Sequence, residues 1–189
     1  MVPVLDAREP VQRIAFFKLS PTSDAKGFLG AILVTDEIGR PLEFRVTYPV
    51  KPTAVQRTLY GVSLIPHIGV ELCGKPLYNL LQERPALLLV EDDRFLPLST
   101  AIATPVARVR PVDGLSEYIE EDTKEVLLNS PDKRFTSVAV AFPGHYEVHQ
   151  RESIIRQLQD FLSRMDLIEP FQRIERALEV LADEDERFR

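Results

Sequence analysis

The segment from Gly27 to Gly61 constrains the fold of this chain most, because it is typical of a β-hairpin that leads into a helix. Phe28 to Thr35 is apolar on both faces of a pleated strand, as in a strand buried on both sides. A turn over residues 36–39 follows, and the chain returns over Leu42 to Tyr48 with alternating apolar and polar side chains. The pattern predicts a sheet whose returning strand has one apolar and one polar face.

A capped helix is predicted directly after this hairpin. Pro49 and Pro52 end the strand, Thr53 and Gln56 have the spacing of a capping box, and Gly61 is a helix-ending residue. Further strands are predicted at 11–19, 86–91, 95–98, 104–110 and 135–142, and helices at 75–82, 115–129 and from 147 onward. We therefore predict an α+β fold, with mixed α/β as the alternative, on a largely antiparallel sheet of about five to seven strands.

The C-terminal part of the chain carries a regular apolar seam. Its side chains recur at spacings of four, three, four and three, and they are Leu167, Phe171, Ile174, Leu178 and Leu181. Such a seam packs on the body of its own protein or on a helix of another chain. We predict a core domain over 1–143 and a helical region over 144–189, with the seam as a candidate interaction surface.

Charge and apolar content limit the possible partners and compartments. The net charge of −6 opposes broad binding to a polyanion, so any contact with nucleic acid must be local. No apolar run reaches the roughly 20 residues of a membrane span, and the N-terminus lacks a signal-peptide core. Cys73 is the one cysteine, which fits a reducing compartment. We predict a cytoplasmic protein without membrane contact.

Basic residues gather where the hairpin meets the helix. Between Arg40 and Arg57 there are four basic residues and one acid, Glu43. The helix start adds free backbone N–H groups, so the junction is a candidate anion site for a nucleotide or nucleic-acid phosphate. Its candidate residues are Arg45, Lys51, Thr53, Gln56, Arg57 and Tyr60. The alternative is structural: Glu43 and Arg45 are neighbours on a solvated face, Thr53 and Gln56 only cap, and Lys51 points to water.

Three other groups of residues have side chains that could bind a metal or act as a nucleophile. Each also has a purely structural interpretation. His145 and His149 resemble an incomplete metal site, but Pro143 and Gly144 place the first histidine before the helix. Cys73 is interpreted as a buried core thiol. The acidic residues 91–93 have oxygen ligands suited to magnesium, and their place between two predicted strands favours a hairpin tip. We predict no metal and no cofactor.

The order of hairpin, helix and further strands resembles roadblock, longin and profilin-like domains. In those domains an antiparallel sheet carries helices and mediates assembly, and the resemblance contains no specific motif from which a functional residue is transferred. The sequence also has no P-loop, dinucleotide fingerprint or nucleophile elbow. The first hypothesis is therefore a noncatalytic interaction or scaffold protein, assembled as a homo-oligomer or with a protein partner. The second is an anion-binding protein or enzyme that acts on a nucleotide or nucleic-acid phosphate at the Arg45 and Lys51 junction.

Overall fold

A computed structural model describes residues 12–112, 125–131 and 133–188 of the chain. A seven-stranded mixed sheet forms its centre, with the spatial order β3-β2-β1-β4-β5-β7-β6. The strands are β1 (Ile14–Pro21), β2 (Phe28–Thr35), β3 (Pro41–Val46), β4 (Leu87–Val90), β5 (Val106–Pro111), β6 (Val126–Leu128) and β7 (Val138–Ala141). The α+β prediction is confirmed: four of the six strand pairings are antiparallel.

The three central strands β1, β4 and β5 run parallel, in contrast to the purely antiparallel sheet that the resemblance implied. The chain between β3 and β4 is long enough to cross over the sheet, and such a crossover returns a strand in the parallel direction. The helices of this crossover are α1 (Ala54–Tyr60), α2 (Leu64–His67) and α3 (Lys75–Asn79), with a 3₁₀ turn at Gly61–Ser63 and a π-helical segment at Ile68–Gly74. Short helices also lie at Asp93–Phe95 (3₁₀) and at α4 (Leu98–Ala101).

The hairpin and the helix that follows it are confirmed. β2 has the predicted bounds, and seven of its eight residues are buried. Thr53 caps α1 in a complete capping box with Gln56, and Gly61 ends the helix at a φ of 49°. The glycine suits that backbone because a side chain disfavours positive φ. The predicted apolar face of β3 is partly open to solvent, since Leu42 and Phe44 on this edge strand are 43% and 36% exposed.

The two faces of the sheet hold separate cores. The crossover helices pack on one face, where the π-helical segment comes so close to β2 that a Cβ on Gly30 would lie 2.4 Å from that of Cys73. Helices α5 (Val148–Arg164) and α6 (Glu169–Glu184) cover the other face, and a last 3₁₀ turn spans Glu186–Phe188. Among the described residues, no helix is long and apolar enough to cross a membrane.

The C-terminal seam is a core element, and its prediction as an interaction surface requires correction. Leu167, Phe171 and Ile174 are fully buried, Leu178 is 4% exposed, and Leu181 packs against the same core. Phe171 meets the ring of Phe16 edge to face at 5.3 Å. The seam therefore packs against β1 and β2 of its own chain. The division at residue 143 stays a prediction.

Two predicted elements past β4 differ from the structure. Residues 95–98 do not return as a strand, because β4 pairs in parallel with β1 and β5 and no hairpin forms there. The helix predicted over 115–129 falls mostly outside the described residues, and its described end at Val126–Leu128 is strand β6. β6 pairs antiparallel with β7, so pairing with another strand, rather than the local sequence pattern, determines the secondary structure of this segment.

Candidate functional site

The carboxyl end of β4 lies beside the second half of β1, which extends four residues beyond it. Phe17 and Val90 are the last register partners of the parallel pair, so Glu91 leaves the sheet beside Lys18, while β1 continues to Pro21 along β2. The Lys18 ammonium lies 2.8 Å from Glu91 Oε2 and 3.4 Å from Oε2 of Glu175 in α6. Only 15% of the Lys18 side chain is exposed. A cation is thus fixed between two carboxylates that come from different elements.

A cavity of about 650 Å³ opens at this edge, which we call the strand-end cleft. Its lining includes Lys18, Ser20, Phe28, Glu91 and Arg94. The Ser20 hydroxyl is buried and has no hydrogen-bond partner within the described part of the chain. A buried hydroxyl without a partner is costly, so a ligand oxygen or a water in the cleft would stabilise it. The carboxyl ends of parallel strands are also where ligands bind in open α/β sheets.

The acidic residues 91–93 belong to this edge and not to a hairpin tip. Asp92 accepts hydrogen bonds from the backbone N–H and the guanidinium of Arg94, which hold the pKa of Asp92 below its usual range. Asp93 binds Arg108 of β5 at 2.8 Å. Within the described ranges there is no group of three or more Asp, Glu, His or Cys side chains that could hold a metal ion. The carboxylates of this edge are instead paired with basic side chains.

Arg108 extends the charged edge to β5. It is 8% exposed and also pairs with Glu125, which binds Arg110 at 2.5 Å. Hydrogen bonding to Arg110 and Arg108 lowers the pKa of Glu125 despite its burial. Nη1 of Arg108 is buried without a partner among the described residues. The network therefore stays charged while it links β5 to the start of β6.

The predicted anion residues fall into separate groups, and none of them lines the strand-end cleft. Arg45 donates to Glu43 at 2.6 Å, and the other Glu43 oxygen accepts from the backbone N–H groups of Gln82 and Glu83. Arg45 is therefore paired with a carboxylate of its own strand, and only 10% of the Glu43 side chain is exposed. Thr53 and Gln56 bind each other's backbone N–H groups in the capping box.

Lys51 and Arg57 form the second group, and both reach the loop between β1 and β2. Lys51 Nζ lies 3.3 Å from Asp24, while Arg57 donates to the carbonyl of Lys26 at 2.7 Å. Hydrogen bonds from Thr22 and Lys26, together with Lys51, lower the pKa of Asp24 to about 2. Among the described residues, the Arg57 guanidinium has no carboxylate partner, and it lies 6.0 Å from the ring centroid of Phe28, which lines the cleft. Anion binding by the predicted set stays a prediction.

The remaining candidates lie elsewhere. His145 and His149 line a separate cavity of about 390 Å³, next to Tyr146, whose hydroxyl accepts from the N–H of Val106. Cys73 is fully buried, and burial raises the pKa of its thiol to about 11. A thiol with a raised pKa is a poor nucleophile, which agrees with its interpretation as a core residue.

Comparison with known proteins identifies the fold. The chain matches no family model and no curated protein. It is similar to the crystal structure of an endonuclease V from Bacillus subtilis, with 11% identity, a TM-score of 0.57, and coverage of 92% of this chain and 82% of that one. The chain shares the fold of an endonuclease V. Weaker matches are an endonuclease V of Ciona intestinalis bound to DNA (13% identity, TM-score 0.40, 79% and 77% coverage) and the Argonaute of Marinitoga piezophila (12%, 0.36, 77% and 25%).

The prediction of a noncatalytic interaction or scaffold protein is wrong on these findings. The architecture over nine-tenths of the chain is one found in an endonuclease, and the seam assigned to assembly is buried in the core. The absence of known motifs does not exclude an enzyme, because a site assembled from distant positions leaves no local motif in the sequence.

Sequence reasoning missed Lys18, Ser20 and Glu175. One signal was available: Lys18 is a charge in the middle of an otherwise apolar strand, where lysine is rarely buried without a partner. Its partners are Glu91, 73 residues away, which the parallel pairing of β1 and β4 brings to it, and Glu175, which the packing of α6 on the sheet brings to it.

Proposed function

We propose that the protein acts on nucleic acid and holds the phosphate backbone of its substrate along the strand-end cleft, with Lys51 and Arg57 as phosphate contacts. The observation that carries the proposal is the position of one segment. From Phe44 to Val70 the sequence contains no aspartate or glutamate, although the whole chain has 29 acids. This segment supplies Ile65 to the cleft, and its Arg57 lies over Phe28 at the rim.

Electrostatics explain why a local site suffices in an acidic protein. Phosphate contacts by Lys and Arg release counterions, so a few cations from a segment without acids produce binding that net charge alone would disfavour. The unpartnered Ser20 hydroxyl adds a hydrogen-bond donor inside the cleft. The endonuclease fold supports an enzyme that acts on nucleic acid, without specifying the reaction.

The test is the binding of labelled DNA and RNA strands, measured by fluorescence anisotropy over a range of salt concentrations. The double variant Lys51→Gln/Arg57→Gln should bind more weakly, and its log–log salt slope should fall by about 1.4 for single strands. Asp24→Asn should bind more tightly, because it frees Lys51 from its carboxylate partner. The same strands, run on a denaturing gel after incubation with Mg²⁺, report cleavage.

A matched control separates local contacts from net charge. Lys75→Gln/Arg164→Gln removes two cations that pair with Glu71 and Asp160 on other helices. This variant should keep the wild-type affinity and salt slope. Equal losses in the two double variants, or no binding of any strand by the wild type, would refute the proposal.

A further inference from the structure

The outer edge of strand β3 is open. β3 is the last strand on its side of the sheet, and within the described residues no further strand pairs with it there. Two large apolar side chains, Leu42 and Phe44, are 43% and 36% exposed at this edge. An open edge with exposed apolar residues is a place where another strand can add, and natural proteins normally protect such edges. The edge of β3 is therefore a candidate for pairing with another chain.

The backbone of β3 has hydrogen-bonding groups on its outer side. The N–H of Thr47 donates to the carbonyl of Gly30 in β2, so the backbone of Thr47 is turned inward. Because inward and outward groups alternate along an antiparallel strand, Phe44 and Val46 turn their N–H and C=O groups outward. The irregularity in the pairing with β2 lies before Glu43, and the register from there to Val46 is continuous. This part of β3 can pair with a strand that runs antiparallel to it.

The charges of β3 select a second copy of the same strand as its partner. Glu43 and Arg45 are the only charged residues of β3, and they lie on either side of Phe44. When Phe44 lies opposite its own copy in an antiparallel pair, each Arg45 lies opposite the Glu43 of the other chain. A shift of two residues in either direction places two Glu43 or two Arg45 side chains opposite each other, and like charges there are destabilising.

The existing contacts of these charges allow the pair. Glu43 Oε2 accepts hydrogen bonds from the backbone N–H groups of Gln82 and Glu83, which hold the carboxylate in place. Arg45 donates to Oε1 of Glu43 through Nε, and 38% of its side chain is exposed. The guanidinium has further N–H donors, so Arg45 can bind the Glu43 of a second copy and keep its own. The four side chains then form an alternating row of charges across the two strands.

The opposite face of β3 is apolar beside the edge. A groove of about 470 Å³ lies there between β3 and α6, and its lining includes Phe44, Val46, Ala177, Val180 and Leu181. A second copy of β3 places its own Phe44 next to this groove and removes apolar surface of both rings from water. The pairing therefore joins complementary charges on one face of the sheet and apolar side chains on the other.

We infer that two copies of the chain associate through β3, whose two copies pair antiparallel about a two-fold axis at Phe44 and join two seven-stranded sheets into one. The inference goes beyond the proposed function and does not depend on it. The regular part of β3 is short, so the contact is small and the association is weak.

Disulfide cross-linking tests the register of the pair, because Cys73 is fully buried and does not compete. The Cα atoms of the two Phe44 residues should lie about 5.5 Å apart, which is within the range of a disulfide. The two Leu42 residues should lie about 13 Å apart, because each is four residues away from its copy in this register. Phe44→Cys should therefore cross-link under mild oxidation at least about 10-fold faster than the matched control Leu42→Cys.

Charge reversal tests the selection of the partner. In the Phe44→Cys background, Arg45→Glu should slow cross-linking by about 10-fold, because it places two acids opposite each other. The control Arg156→Glu, at an exposed position of α5, changes the net charge equally and should leave the rate unchanged. Melting temperatures check that each variant folds.

Sedimentation equilibrium of the wild type needs no substitution. Over concentrations up to about 500 µM, the measured mass should rise from the 21.5 kDa of one chain towards twice that value. A wild type that keeps the mass of one chain throughout overturns the inference, and so does equal cross-linking by Phe44→Cys and Leu42→Cys. Cross-linking that is unaffected by Arg45→Glu also overturns it, because the charges then do not select the second copy. Each of these results leaves the proposed function standing.

Discussion

At the scale of single residues, Lys18 has the most unusual surroundings in the sheet. It lies in a strand whose neighbours Phe16 and Phe17 are fully buried, and its ammonium joins β4 to α6 through Glu91 and Glu175. The two carboxylates are 40% and 57% exposed, so water screens the pairs from one side. The structure thus predicts an intermediate contribution, larger than for a surface pair and smaller than for a fully buried one.

Lys18→Met retains the length of the apolar stem and removes the charge. We expect the free energy of unfolding, measured with urea, to fall by about 1–2 kcal/mol, because the carboxylates lose their partner at a largely buried position. Glu91→Gln should cost less, since Glu175 remains. In a double-mutant cycle the two changes should be non-additive. Additive losses would show that the Lys18–Glu91 pair does not contribute to stability.

At the scale of elements, the predictable segments were those specified by local chemistry. Thr53 and Gln56 cap α1 through their own backbone, and β2 is continuously apolar, so both were visible in the sequence. The parallel direction of β4 depends on a crossover of some 40 residues, and no short window contains it. For the same reason the candidate site was only partly predictable. Arg57 was found from local charge, whereas Lys18 meets Glu91 only in the folded sheet.

Asp166 provides an element-scale test that depends on pH. Its carboxylate accepts hydrogen bonds from the N–H groups of Ile168 and Glu169 at the start of α6, and from the N–H and hydroxyl of Thr136 before β7. Burial opposes ionisation, but these bonds outweigh it and lower the pKa of Asp166. A lowered native pKa stabilises the fold above the unfolded pKa of about 3.9, and the stabilisation is lost as pH falls through the native value.

Asp166→Asn should therefore reduce the free energy of unfolding by about 1–2 kcal/mol at neutral pH. The difference from wild type should shrink as the pH is lowered from about 4 downward, where the wild-type carboxylate takes up its proton. Chemical denaturation at a series of pH values measures this. Asp160→Asn, which removes an exposed partner of Arg164, serves as the control and should have a small effect. A loss of stability that is independent of pH would show that the ionised carboxylate of Asp166 is not the source of the stabilisation.

At the scale of the whole molecule, one core joins the strands of the sheet to both C-terminal helices. Residues of β1, β2, β4, β5, β6 and β7 share it with α5 and α6. Phe171 is fully buried there against Phe16. If α6 were a detachable assembly element, a change at Phe171 would alter the association of chains and leave the fold intact. We expect instead that a change at Phe171 destabilises the fold and leaves the association of chains unchanged.

Phe171→Ala should lower the free energy of unfolding by about 3–5 kcal/mol, because it removes a large buried ring and leaves a cavity. That loss is a large part of the total stability of about 5–15 kcal/mol for a domain of ordinary size. Val180→Ala, on the same helix at a position that is 53% exposed, should change stability by no more than about 0.5 kcal/mol. Urea denaturation measures both variants, and light scattering should give both the mass of the wild type. A Phe171→Ala protein with wild-type stability and a smaller assembly would contradict this prediction. It would mean that the seam binds a partner chain and is not part of the core of its own chain.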